Sequence, residues 1–411
     1  MIQCVWKKDK EMKKMIDKDI TLIIAFYFIQ GVIHNLGHPV TPAFVRGLFI
    51  PDYMFGVFFA SMSFGLMLGG PFWGVLSDRG QKKHLIIIGL LFYSIGQFGF
   101  GYSNHQLAMV FFRFLSGFGV ASSMTLLTSD LIEKSDPMHR AKHLAYLAAA
   151  FTLGASLGYA IGGFISTNPF FVSLFNITHY RKMFLIQAII NTVYTLSLLW
   201  LLKEAKAPIG FKKPSMIEGL KQLTKIDLSL FFFFLSLAMI TMGSVNLSKY
   251  IDVYFDQLGF SPQALGTFVM TTGIVSLITS IFLVPTFARA KKQIGLIAVI
   301  HFLSALIVFY VFRSTAFLLS AYTIFMVYVV FKTIYQPLEQ NYIASYAKEG
   351  KYGSMMGLRQ SFVSIGMVIG PLIGGFVYQQ NPLWLFDMSA IFLLVGVLLL
   401  GFVYLFQKQE K

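Results

Sequence analysis

Lys332, Gln336 and Glu339 stand at i, i+4 and i+7, which sets a cation, an amide and a carboxylate on one face of a helix. The stretch that holds them, "YVVFKTIYQPLEQNY", is mostly apolar. Gln30, His34 and His38 repeat the pattern at i, i+4 and i+8 with Asn35 beside them, and Asn246, Lys249 and Tyr250 form a third group. Arg113 is a single guanidinium within "MVFFRFLSGFGV". Such groups can grip a polar solute or pass protons, because histidine titrates near neutral pH. A charge within an apolar helix costs about 2.5–3.5 kcal/mol or more unless it is paired or hydrated. Two histidines four apart can also ligate zinc, but no carboxylate or third histidine completes a set around His34 and His38, so no metal is assigned.

The elements that must position these residues are long and apolar. The chain has 411 residues, 56% hydrophobic and 12% charged, about half the charge of a soluble domain. Runs of about 20 apolar residues span a bilayer as helices, and the sequence predicts twelve: 20–43, 53–75, 85–103, 107–130, 143–167, 183–202, 227–252, 263–287, 294–312, 317–343, 354–378 and 384–406. The N-terminus is basic like a signal peptide, but no small-residue cleavage site follows, so the first span is read as retained. The net charge of +15 reads as the Lys and Arg excess of cytoplasmic loops, not as a nucleic-acid surface. Of the 33 Lys and Arg, the alternate loops hold only Arg46, Arg181, Lys182 and Arg313. Both termini are therefore expected in the cytoplasm. On this sidedness Arg113 and Lys249 lie toward the outer ends of their spans, where snorkelling is the ordinary alternative, whereas Lys332 is too deep for it.

The polar segment 203–226 divides the chain, and a repeat supports the division. Gly154, Gly158, Gly162, Gly163 and Phe164 recur in register as Gly366, Gly370, Gly374, Gly375 and Phe376. The expected layout is a cytoplasmic segment 1–19, a six-helix half 20–202, a linker 203–226, a second half 227–406 and a tail 407–411. Two pseudo-symmetric halves with a central site are a transporter architecture.

These residues also resemble a known family. "GVLSDRGQKK", residues 74–83, is similar to the loop signature Gly-x-Leu-x-Asp-Arg-x-Gly-Arg-Lys of the major facilitator superfamily, with Gln81 and Lys82 as departures. "RFLSGFGVASS" places Arg113, Gly117 and Gly119 on the Arg-x-x-x-Gly-x-Gly pattern of the twelve-span drug/proton antiporter branch. The glycine repeat is similar to the antiporter motif Gly-x-x-x-Gly-Pro-x-x-Gly-Gly, with Tyr159 at the proline position in the first half and Pro371 in the second. The resemblance implies that Asp78 and Arg79, with Asp130 as acidic partner, latch the two halves on the cytoplasmic side; Lys82 and Lys83 either join that latch or are ordinary basic residues of a cytoplasmic loop, and Arg359 is grouped with the latch. It also implies that Arg113 is tied to proton coupling. Arg359 is placed beside Glu339, as a salt bridge or as a neighbour of a proton carrier. Many exporters of this branch carry a membrane-embedded acid in span one or seven; here Asp19, Asp227 and Asp252 fall at span ends.

The expectation is an all-α polytopic membrane protein, a secondary transporter in the plasma membrane. It would move a small organic molecule, with proton-coupled efflux by alternating access, no cofactor, and action as a monomer among membrane lipids. The span-interior charges lean positive, which favours an anionic or zwitterionic solute. The competing readings are a carrier or flippase for an anionic lipid, glycolipid headgroup or organic anion, and a transport-inactive receptor. No nucleophile elbow or phosphate-binding loop marks an enzyme.

Overall fold

The computed structural model describes residues 2–77, 81–136, 139–177, 179–202, 227–287, 290, 292–345 and 352–409, and all its regular elements are helices. Asp78, Arg79 and the linker 203–226 lie outside the described residues. In chain order the first set is α1 (Ile2–Asn35), α2 (Thr41–Gly47), α3 (Tyr53–Ser77), α4 (Lys82–Tyr102), α5 (Gln106–Lys134), α6 (Arg140–Thr167), α7 (Pro169–Leu174) and α8 (Arg181–Leu201). The second set is α9 (Leu228–Gln257), α10 (Pro262–Phe282), α11 (Val284–Phe287), α12 (Gln293–Val311), α13 (Phe317–Tyr322), α14 (Ile324–Ser345), α15 (Tyr352–Gln380) and α16 (Pro382–Gln409). Among the described residues eleven helical segments are long and apolar enough to cross a membrane, and α1 packs along α6 beside them.

Three of the expected spans are interrupted. The first stops at Asn35 and resumes as α2 after a turn, the eighth breaks into α10 and α11, and the tenth breaks between Tyr322 and Ile324. The stop at Asn35 would strand the last carbonyls of α1. Gln187 of α8 supplies the donor: its side-chain amide bonds the Ile33 and His34 carbonyls, each at 2.9 Å. Other boundaries follow from local chemistry. Asp227 caps α9 by accepting from the Leu230 amide at 2.9 Å, and Ser261 caps α10 with Pro262 in its first turn. Between them Gly259 takes φ +79°, closing α9 with Phe260 N–H to Phe255 O and Gly259 N–H to Asp256 O.

The glycine repeat sets how the helices meet. A Cβ at Gly154, Gly158 or Gly162 would collide with the α1 carbonyls of Phe28, Val32 or Leu36, so α6 lies directly on α1. In the second set Gly366, Gly370 and Gly374 do the same for α15 against Thr241, Met242 and Asn246 of α9. The next residue of each motif faces the other set: Gly163 meets the Pro262 carbonyl, and a Cβ at Gly375 would stand 2.5 Å from the Tyr53 carbonyl oxygen. Small residues let helix backbones approach closely where lipid supplies no hydrophobic drive.

The buried apolar residues form two clusters, and their membership describes the shape. One cluster runs through the second set and takes in Phe44, Phe55, Phe58, Phe100 and Phe184 of the first set, all at the end that carries Arg46. The other, with Ile23, Trp73, Leu90, Leu127 and Leu198, belongs to the first set alone and lies toward the end that carries the chain termini. Among the described residues the two sets share a core at the Arg46 end only. Gly158→Leu is expected to cost about 1–3 kcal/mol by overpacking, lowering the thermal midpoint of the purified protein. Gly295→Leu, where a Cβ meets nothing within 4 Å, should leave the midpoint unchanged.

Candidate functional site

At the shared end, polar ties cross between the sets. Arg46 of α2 donates to Asp52 at 2.9 and 3.1 Å and to Asp256 of α9 at 2.8 Å. Burial opposes the Arg46 charge, but the hydrogen bond to Asp52, its charge and the bond to Asp256 together raise the guanidinium above its ordinary value. Arg46 is therefore a permanent cation in this seam. The Tyr159 hydroxyl of α6 donates to Asp252 Oδ2 of α9 at 2.7 Å, and Thr167 meets Gln263 at 3.1 Å. Tyr53 of α3 stacks on Phe376 of α15 with ring centroids 5.4 Å apart.

Just inside this seam lies a group of cations. Arg113 of α5 is 5% exposed, and its Cζ sits 3.7 Å above the Phe100 ring. Lys249 of α9 holds its Nζ 5.6 Å from the centre of the half-buried Phe59 ring. Lys332 and Gln336 of α14 are both exposed. Lys249 lies within electrostatic reach of Arg113 and of Lys332, so all three helices face one central space. His38 borders it, stacked on Tyr159 at 5.3 Å.

Several sequence-predicted residues stand elsewhere. Gln30 is fully buried and donates to Ser123 of α5 at 2.7 Å. His34 bonds Asn191 of α8 at 3.1 Å and stacks on Tyr93. Of the α1 stripe only His38 reaches the central space, because the first two positions are turned into the α1–α5–α8 contact. Asn246 is likewise fully buried, beside Gly374, with neither amide atom partnered among the described residues. Glu339 is 1% exposed and takes both oxygens to Arg359 of α15, which donates from Nε at 2.9 and 3.0 Å and from Nη2. That pair is a buried tie within the second set.

Of the expected latch residues, Lys82 and Asp130 are partnered within their own set. Lys82 donates to Glu133 at 2.5 Å, and Lys134 bonds Asp130 at 2.8 Å with Asp19 at 3.8 Å. Lys83 lies in the first turn of α4. These bonds stay within the first set, in contrast to those at the Arg46 end. Two functional candidates were missed in the sequence. Asp252 was placed at a span end, yet α9 continues to Gln257, and Asp252 is 3% exposed with Oδ1 unpartnered. Tyr159, its partner, was noted only as a departure from a proline; that substitution was the available signal.

Glu339→Gln should cost about 3–5 kcal/mol by leaving Arg359 buried without its charge partner. Adding Arg359→Gln should restore part of that loss in a double-mutant thermal-unfolding cycle.

Comparison with known proteins accords with this architecture. The family model of the Major Facilitator Superfamily matches residues 20–334 and 329–411. Multidrug resistance protein 1 of Bacillus subtilis (strain 168) is 27% identical over 390 residues, covering 92% of this chain and 95% of that protein. Quinolone resistance protein NorA of Staphylococcus aureus (strain MSSA476) is 26% identical over 379 residues, 91% and 92% of the two chains. Among solved structures, a bacterial homologue of the human lysosomal transporter Spinster, in an inward-facing and occupied conformation, superposes with TM-score 0.74 at 14% identity, over 95% of this chain and 97% of that one. The chain belongs to the Major Facilitator Superfamily and is an integral membrane secondary transporter of that fold.

Proposed function

We propose that the protein exports small organic molecules across the plasma membrane by alternating access, driven by the proton gradient, acting as a monomer without a cofactor and without enzymatic activity. The one-ended seam carries this reading: the sets share a core and cross-set bonds at the Arg46 end, while the central cations lie beyond that seam. A carrier that opens its central site to one side at a time needs such a shape. The Lys and Arg asymmetry assigns the end with the termini to the cytoplasm, so the state described here is open inward. The resistance roles in the names of the two bacterial relatives support export and small-molecule cargo.

Proton coupling falls on the seam. Asp252, Tyr159 and His38 join one acid, one hydroxyl and one imidazole across the two sets. When the seam opens, these groups meet water on the outer side. In the opposite state Asp78 and Arg79, with Lys82, Lys83, Asp130 and Arg359, would tie the cytoplasmic ends together. Two states that differ by such bonds are biased by whatever loads or unloads them.

Two measurements test this. In proteoliposomes loaded with a fluoroquinolone, an acidic exterior should accelerate efflux. Efflux indifferent to the gradient removes the coupling, and no flux at all removes the carrier. For the seam, spin labels at Phe49→Cys and Leu258→Cys report its opening in a Cys4→Ser background. Arg46→Ala should shift the state ratio toward the seam-open form by about fivefold to tenfold, ~1–1.4 kcal/mol; an unchanged distance distribution would show that the seam does not govern the equilibrium.

A further inference from the structure

The buried Lys82 and the half-buried Arg46 and Arg359 are neutralised by the protein's own acids. Lys82 has Glu133, Arg46 has Asp52 and Asp256, and Arg359 has Glu339. Arg113, Lys249 and Lys332 are different: no described carboxylate forms an ion pair with any of them, and none has a hydrogen-bond partner among the described residues. Arg113 Nε is buried and unpartnered, and the ring beneath it at 3.7 Å attracts the charge without cancelling it. Asp252 is the one acid within electrostatic reach of Lys249, and its Oδ2 is already engaged by the Tyr159 hydroxyl. His38 brings no negative charge. Three cations against one described carboxylate, which keeps Oδ1 unpartnered, leave the centre of the molecule short of counter-ions.

We infer that Arg113, Lys249 and Lys332 form a recognition site for an organic anion, a carboxylate carried on an aromatic body. The guanidinium is the group suited to two parallel bonds to a carboxylate, and the Lys249 ammonium closes the same face from α9. Phe59, half-buried below Lys249, offers a ring for the apolar part. Lys332 and Gln336, exposed one turn apart on α14, supply donors on the opposite wall. Arg113 comes from the first set and the two lysines from the second, so the ligand bridges the sets. The inference rests on the carrier reading above and adds the charge of the cargo.

The test uses one aromatic body with three charges: 1-pyrenebutyrate, its methyl ester and 1-pyrenebutyltrimethylammonium, with binding to the purified protein followed by pyrene fluorescence. The anion should bind at least about tenfold more tightly than the ester or the cation. Lys332→Gln, an exposed side chain whose loss leaves no cavity, should reduce that preference several-fold. Arg113→Gln should abolish it while Arg113→Lys retains part. Equal or tighter binding of the cation overturns the inference, as does an anion preference untouched in Arg113→Gln and Lys332→Gln. Binding of none of the three overturns it as well. Displacement of pyrenebutyrate by soluble dihexanoyl-phosphatidylglycerol at lower concentration than by benzoate assigns the site to a lipid headgroup, and the carboxylate claim falls. Counterflow of the three probes in proteoliposomes separates the two readings: transport of the cation alone keeps the carrier and removes the anion site.

Discussion

The structure depends on backbone meeting backbone across the seam between the two helix sets. A side chain at Gly56 would strike the Pro371 carbonyl, and one at Gly163 would strike the Pro262 carbonyl. Because those glycines carry no side chain, α3 can lie on α15 and α6 on α10 closely enough for Arg46, Tyr159 and Thr167 to reach acceptors in the other set. The contact is glycine-lined like that of α6 on α1, but it also carries polar ties between side chains. A close but limited seam can open without dismantling either set, which is what a two-state carrier requires.

The repeat explains why each set moves as a unit. In both halves, three glycines of the motif lock the fifth long helix onto the first, and the adjacent fourth glycine is turned toward the other set. One short sequence pattern thus encodes a rigid contact and a movable one, separated by a single residue's rotation of about 100° around the helix. Buried polar bonds reinforce the rigid part of the first set: Gln30 to Ser123, His34 to Asn191, and Gln187 to the end of α1. The Glu339–Arg359 pair ties α14 to α15 in the second.

What was legible in the sequence was whatever depends on spacing alone. The spans, the repeat and the one-face grouping of Lys332 with Gln336 need only helical periodicity. Which neighbour a face meets is a tertiary fact: Gln30 and His34 satisfy the polar-stripe pattern but bond inside the helix contacts of the first set, and Asn246 is buried beside Gly374. Asp252 was obscured for a different reason. Hydropathy declines at an acid, so the span was closed on it, whereas the helix continues past it to Gln257 and the Tyr159 hydroxyl makes the burial tolerable. Asp78 and Arg79, the sharpest motif residues, lie outside the described residues, and their neighbours Lys82 and Asp130 bond within their own set.

The position of the unpaired cations relative to the seam supplies the last step. With the end that carries the termini open, water reaches the exposed Lys332 and, beyond it, the half-buried Lys249. Closing that end would remove the water and bring three like charges into a low-dielectric space, where each uncompensated charge costs several kcal/mol. An empty carrier is therefore held open by its own charges, against any latch that forms between the cytoplasmic loops. A bound anion removes that penalty where both sets contribute to the site. A preference of about 5.5 kcal/mol for the closed form is enough to move a two-state equilibrium from 1:99 to 99:1. On this argument cargo charge and conformational change are coupled by the same three side chains, and the cations serve the transport cycle by being unpaired when the site is empty.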